Sequence, residues 1–137
     1  MRWLALDVGS RRVGVAICDA DERVATALRP LPFAGAAALS AAVAKLAVEL
    51  EIGGVVVGVP VTRHGLGRGE ARVAAVVEAM RVVLSVPVAT VDESGTTQEA
   101  EHLLAEAGVP RRRWTDLVDG LAAKLILETH LATCRRV

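Results

Sequence analysis

Asp7, Asp92, Glu93, Asp116 and Asp119 are the residues whose types and spacing could do chemistry. Asp7 closes an apolar run, Trp3-Leu4-Ala5-Leu6, where a hydrophobic strand has little use for a charge. Asp92 and Glu93 close another run further along the chain. Asp116 and Asp119 are three residues apart at the start of the last helical stretch, so they share a helical face. Carboxylates gathered at one edge repel one another, and a pair of Mg²⁺ or Mn²⁺ ions relieves that repulsion. Two such ions about 4 Å apart can clamp both the attacking and the leaving oxygen of a phosphodiester. Each acid also has a simpler use. Asp116 in a first helical turn suits the helix dipole, Asp92 could cap a turn, and Glu93 could be a surface charge. Asp7 is the hardest to explain without an ion.

Asp7 opens the segment DVGSRRVGVAICD. It reads as strand, tight turn, strand, with the carboxylate at the mouth of the turn. Gly9 and Gly14 would let backbone approach a phosphate, and Arg11 and Arg12 could meet its charge. An ordinary hairpin with solvated charges is the alternative. Arginine dominates the basic residues, since Lys45 and Lys124 are the only lysines. The arginines cluster at 11–12, at 63, 68 and 72, at 111–113 and at 135–136. Arginine suits bidentate phosphate recognition; a GC-rich genome would produce the same bias.

The elements that must position these groups follow from the hydrophobic pattern. Residues 2–8, 13–19 and 23–28 read as three β-strands joined by short spacers, hence antiparallel hairpins. Pro30 and Pro32 are expected to break the chain. Leu39, Val43, Leu46 and Leu50 recur at helical spacing between Gly35 and Glu51. Val55 to Val59 is a continuous apolar run, as in a buried central strand. A loop from Pro60 to Gly69 leads to a helix with Val73, Val76, Val77, Met80 and Leu84 on one face. Pro87 to Asp92 is a fifth strand. A third helix starts at Thr96, and a last one runs from about Asp116 to Thr133, with Gly120 and Ala123 small enough for close approach to the sheet. The order βββ-α-β-α-β-α-α gives an α/β fold. Its mixed five-stranded sheet has three antiparallel strands, then two parallel ones, with helices on its faces. If strands one and five are parallel, Asp7 and Glu93 reach one edge.

The 137 residues suit one domain, 1–137, with a real core. Formal charge is zero, so bulk charge does not point to nucleic acid. Cys18 and Cys134 make neither a disulfide framework nor a metal knuckle. No secretory leader or membrane-spanning run is read, so a cytoplasmic protein is expected.

Taken together, four segments resemble the YqgF (RuvX) family, whose members are associated with Holliday junction resolution or precursor ribosomal RNA cleavage. They are DVGSRRVGVAICD, VVVGVP, DESGTT and VDGLAAKLIL. The resemblance covers nearly the whole chain and implies a ribonuclease H-like fold. It implies that Asp7, Glu93 and Asp119 are the catalytic, metal-binding acids, with Mg²⁺ or Mn²⁺ as cofactor and nucleic acid as partner. Arg12 matches a basic position between the two glycines. Asp116 has no family counterpart, but its spacing is similar to that of paired aspartates in related RuvC-type resolvases, so it is carried as a helper ligand.

The chain departs from the family where an arginine and a large residue are replaced by Ser94 and Gly95. Thr62 stands where an Asn is usual, and the loop after strand four has become basic through Arg63, His64 and Arg68. Arg63 and Arg68 are therefore expected to help Arg11 and Arg12 bind substrate, while His64 is read as a solvated loop residue. The implied function is metal-dependent hydrolysis of phosphodiesters in precursor small-subunit ribosomal RNA. A Holliday junction resolvase is the alternative, and would need a homodimer with two sites. A nucleic-acid-binding ribosome-assembly factor without activity is the rival of another class, supported by Ser94 and Gly95. Actin-like ATPases share a D-x-G turn after a strand, but need two lobes where this chain has room for one.

Overall fold

The computed structural model describes residues 1–60, 68–93 and 96–135. Its elements run β1 (Trp3–Val8), β2 (Arg12–Cys18), β3 (Ala25–Pro32), α1 (Ala36–Glu49), β4 (Gly54–Pro60), α2 (Arg68–Val83), β5 (Val88–Glu93), α3 (Thr96–Glu106), a 3₁₀ turn (Arg111–Arg113) and α4 (Trp114–Arg135). The sheet order is β3-β2-β1-β4-β5. β1 pairs antiparallel with β2 and parallel with β4, and β4 pairs parallel with β5. The expected mixed sheet of three antiparallel and two parallel strands is therefore present.

Alternation along the central strands feeds two cores. Leu4, Leu6, Val13, Val15, Val55 and Val57 pack under α1 and α2. Trp3, Ala5, Ala16, Cys18 and Val56 pack under α4, against Ala123, Ile126 and Leu127. Central strands buried on both faces read as unbroken apolar runs, which is why Val55 to Val59 carries no alternation. α3 lies against α4.

Three expectations about the elements are corrected. Pro30 and Pro32 do not end the chain's extended path; both lie inside β3, which runs to Pro32. β3 is a sheet edge, so a residue without an N–H costs no ladder bond on its open side. The third strand accordingly starts and ends later than 23–28. The last helix begins at Trp114, two residues early. The 3₁₀ turn feeds directly into it, with the Arg113 N–H donating to the Pro110 carbonyl at 2.9 Å. The Trp114 indole N–H donates to the Val109 carbonyl at 2.9 Å, and Arg111 sits 5.1 Å from its ring centre. Trp114 thus anchors the start of α4. Among the described residues, no helix is long and apolar enough to cross a membrane.

Candidate active site

Strand parity decides which acids meet. In β1, Leu4, Leu6 and Val8 face α1 and α2, whereas Trp3 and Ala5 face α4. Asp7 continues the second series and faces α4. In β5, Val88 faces α1 and α2, whereas Ala89 and Val91 face α4. Glu93 continues that series, and Asp92 points to the other side of the sheet. The choice between Asp92 and Glu93 follows from the two-residue period alone.

Asp119 comes to the same face because α4 lies unusually close to β2. A Cβ built on Gly14 would fall inside the Asp119 carbonyl oxygen. Only glycine allows this contact. Gly14 is the partner of Asp7 in the β1–β2 ladder, so the contact sets Asp119 beside Asp7. The next residue, Gly120, lies against β3, where a Cβ would come 3.0 Å from that of Ala27. Gly58 clears the space on the other side. A Cβ there would meet Ile126 Cδ1 at 2.5 Å and Glu93 Cγ at 3.2 Å. The sequence-based role of Gly9 and Gly14 as phosphate approaches is therefore corrected. Gly14 is filled by α4, and a Cβ at Gly9 would meet the Arg12 carbonyl oxygen at 2.7 Å.

Asp7 feels the charges of the other two acids. The Asp7 carboxyl is pushed up from 3.8 to about 6, first by burial, then by the charge of Asp119, then by that of Glu93. A carboxylate held in a low-dielectric pocket beside two like charges is a site electrostatically in want of a cation. Part of that want is met from within. Arg12 Nε donates to Asp119 Oδ2 at 2.7 Å. Among the described residues, no three acidic, histidine or cysteine side chains are gathered closely enough to hold a metal ion as they stand. Arg11 is exposed on the same hairpin, where its carbonyl accepts the Phe33 N–H at 2.9 Å.

Asp116 stands apart from the trio. It is exposed and lines a separate cavity with Arg12, Leu28, Arg29, Pro30 and Thr115. Sequence reasoning missed this cavity, since Arg29 and Thr115 belong to no motif. Arg63, His64, Thr62, Ser94 and Gly95 lie outside the described residues, as does the side chain of Arg68.

The sequence matches the RuvX family, described as Holliday junction resolvase, over residues 1–133. The chain belongs to this family. It is 38% identical over 129 residues to a Chloroflexus aggregans protein named "Putative pre-16S rRNA nuclease", covering 93% of this chain and 91% of that one. Proteins of the same name match from Desulforudis audaxviator, at 37% identity over 96% and 94% of the two chains, and from Mycobacterium leprae, at 40% over 98% and 74%. Thermus thermophilus RuvC in complex with a Holliday junction superposes with a TM-score of 0.63 at 16% identity, over 100% of this chain and 97% of that one. A fowlpox virus resolvase in complex with Holliday junction DNA gives 0.61 at 10% identity, over 98% and 99%. At such identities the likeness concerns fold, and the fold is ribonuclease H-like, as the sequence resemblance implied.

Proposed function

We propose that this RuvX-family chain is a divalent-metal-dependent nuclease that hydrolyses phosphodiester bonds in precursor small-subunit ribosomal RNA. The observation that carries the reading is the placement of Asp7 and Glu93 on the α4 face of the sheet, with Asp119 packed over Gly14 opposite Asp7, where the charges of Asp119 and Glu93 help to raise the Asp7 pKa. The names of the relatives supply the substrate, and action on a ribosomal RNA precursor implies the cytoplasm. The donor chemistry suits Mg²⁺ or Mn²⁺, because all three side chains offer hard carboxylate oxygens and Asp7 is destabilised by the charges of the other two. Two such ions, when bound, activate a water for in-line attack and steady the leaving oxygen.

The residues divide the remaining work. Asp7 sits deepest and anchors the site, held by the β1 ladder. Glu93 and Asp119 approach from β5 and α4 to complete the ligand set. Arg12 neutralises Asp119 while the cation is away, and its guanidinium is then placed to meet a phosphate beside the acids. Arg11 adds a second positive charge on the same hairpin, and the basic segment with Arg63 and Arg68 a third source.

A cleavage panel tests the reading: structured RNA, single-stranded RNA and DNA, and four-way DNA junctions, each with Mg²⁺ and with Mn²⁺. Metal-dependent cutting of RNA by the wild type, lost in Asp7→Asn, is the expected result. Preferential symmetric cutting of four-way junctions by a homodimer in equilibrium sedimentation would instead establish the resolvase alternative. No cutting of any substrate would leave the assembly-factor reading.

A further inference from the structure

The cavity beside the acids has a lining that the metal chemistry does not use. It encloses about 430 Å³, within the roughly 300–1,000 Å³ usual for small-ligand sites. Arg12, whose Nε holds Asp119, forms the wall shared with the carboxylates. Arg29 and Pro30 enter it through an irregularity in the sheet. Val13 pairs with Leu31 but Val15 pairs with Leu28, so two residues of β3 stand opposite the single Gly14. A bulge of this kind re-aims side chains and is common beside active sites. Thr115 and Asp116 come from the first turn of α4, and half-buried Leu28 completes the floor with Pro30.

The mixture of groups selects its occupant. A free phosphate would satisfy the two arginines but be repelled by Asp116. A bare base would leave both guanidiniums idle. A nucleotide within a strand uses all of them. Its phosphate meets Arg29, its apolar sugar and base faces rest on Leu28 and Pro30, and a sugar hydroxyl donates to Asp116. Asp116 makes no hydrogen bond or ion pair with another described residue, so its carboxylate is free to accept one. Within a strand the 3′ and 5′ oxygens are esterified, so the 2′-hydroxyl is the sole sugar donor. DNA lacks it.

We propose that this cavity seats the nucleotide next to the scissile phosphate and that Asp116 reads its 2′-hydroxyl, making RNA the substrate class. Arg29 holds the phosphate of that nucleotide and Thr115 supplies a second hydroxyl contact. The proposal rests on the nuclease reading above. It moves Asp116 from the metal set to the substrate set.

The probes are a fluorescein-labelled RNA hairpin with single-stranded flanks and its all-deoxy counterpart of the same sequence. Both are titrated in EDTA and followed by anisotropy. The wild type should bind the RNA about fivefold or more tightly than the DNA. Asp116→Ala should bring that ratio close to one, by weakening RNA binding without weakening DNA binding. Asp116→Asn keeps an acceptor oxygen and should retain most of the preference. Arg29→Ala should weaken both probes alike and reduce the salt slope by about one contact. An unchanged RNA-to-DNA ratio in Asp116→Ala overturns the proposal, as does equal wild-type affinity for the two probes. Weaker Mn²⁺ binding by Asp116→Ala, read by calorimetry, also overturns it, because the carboxylate would then be a metal ligand. Cleavage of the RNA probe in Mn²⁺, lost in Asp7→Asn, reports separately on the nuclease reading. If cleavage is present and the ratio unmoved, the subsite alone falls. If neither probe is bound or cut, both readings fall.

Discussion

Replacing Asp7 by Asn should stabilise the metal-free protein while abolishing its chemistry. The Asp7 carboxyl ionises near 6 in the folded chain against 3.8 for an unperturbed aspartate. The shift is roughly two pKa units, at about 1.4 kcal/mol each, so the ionised carboxylate costs the fold about 3 kcal/mol near neutral pH. The folded state binds the proton more tightly than the unfolded chain. Asp7 therefore costs nothing below the unfolded value, and stability declines as pH rises from 3.8 through about 6, then levels off. Asn keeps the size and the hydrogen-bonding capacity of the side chain and removes the charge. In EDTA at neutral pH, Asp7→Asn should melt roughly 10 °C above wild type, at the few degrees per kcal/mol usual for a domain of this size. The gap should close as the buffer approaches the unfolded pKa. The assay is thermal and urea unfolding by circular dichroism across that pH range, with tryptophan fluorescence as a second probe. Added Mn²⁺ should raise the wild-type midpoint by ligand linkage and leave the variant unmoved. Equal stability at neutral pH, or a gap independent of pH, would refute the reasoning, because the carboxylate would then not be held against its own repulsion.

Arg12→Gln should tighten Mn²⁺ binding in calorimetry by more than Arg11→Gln does, since only Arg12 occupies Asp119; equal effects would mean that simple net charge is responsible. Neutralising Arg11 and Arg12 together should flatten the salt dependence of nucleic-acid binding by about two contacts, and an unchanged slope would remove this pair from the phosphate path. Gly14→Ala should lower stability by about 1–3 kcal/mol or more, through overpacking against α4, and should weaken Mn²⁺ binding by displacing Asp119; a variant with wild-type unfolding would contradict the close approach of helix and strand.

Much of the fold was legible because its signals are local. Short spacers specify antiparallel hairpins, and the apolar run at Val55 to Val59 specifies a strand covered on both faces. The positions of Asp7 and Glu93 at the ends of their strands were legible for a related reason: a charge stands out where an apolar run ends. What local reasoning misread depended on neighbours in space. Pro30 and Pro32 look like terminators until β3 is known to be an edge. Gly14 looks like a phosphate approach until α4 is seen to fill the space above it. Arg29 and Thr115 are more than eighty residues apart in the chain, so no window of sequence could pair them. Their meeting depends on the bulge in β3 and on the helix start that Trp114 anchors.

Gly14 shows how closely packing and chemistry are joined in this chain. On the α4 face of β1 and β2, Trp3 and Cys18 lie at one end, Ala5 and Ala16 next, then Asp7 opposite Gly14. α4 packs Ala123, Ile126, Leu127 and Leu131 into this face and sets its Asp119 backbone on Gly14. The missing side chain at Gly14 lets α4 touch β2 beside the site. That contact leaves Asp119 bonded to Arg12 and its charge among the causes that raise the Asp7 pKa. A larger residue at 14 would push α4 away from β2 and relax that repulsion. It would also separate the ligands. The strain among the carboxylates and the capacity to hold cations are thus one consequence of the same missing side chain.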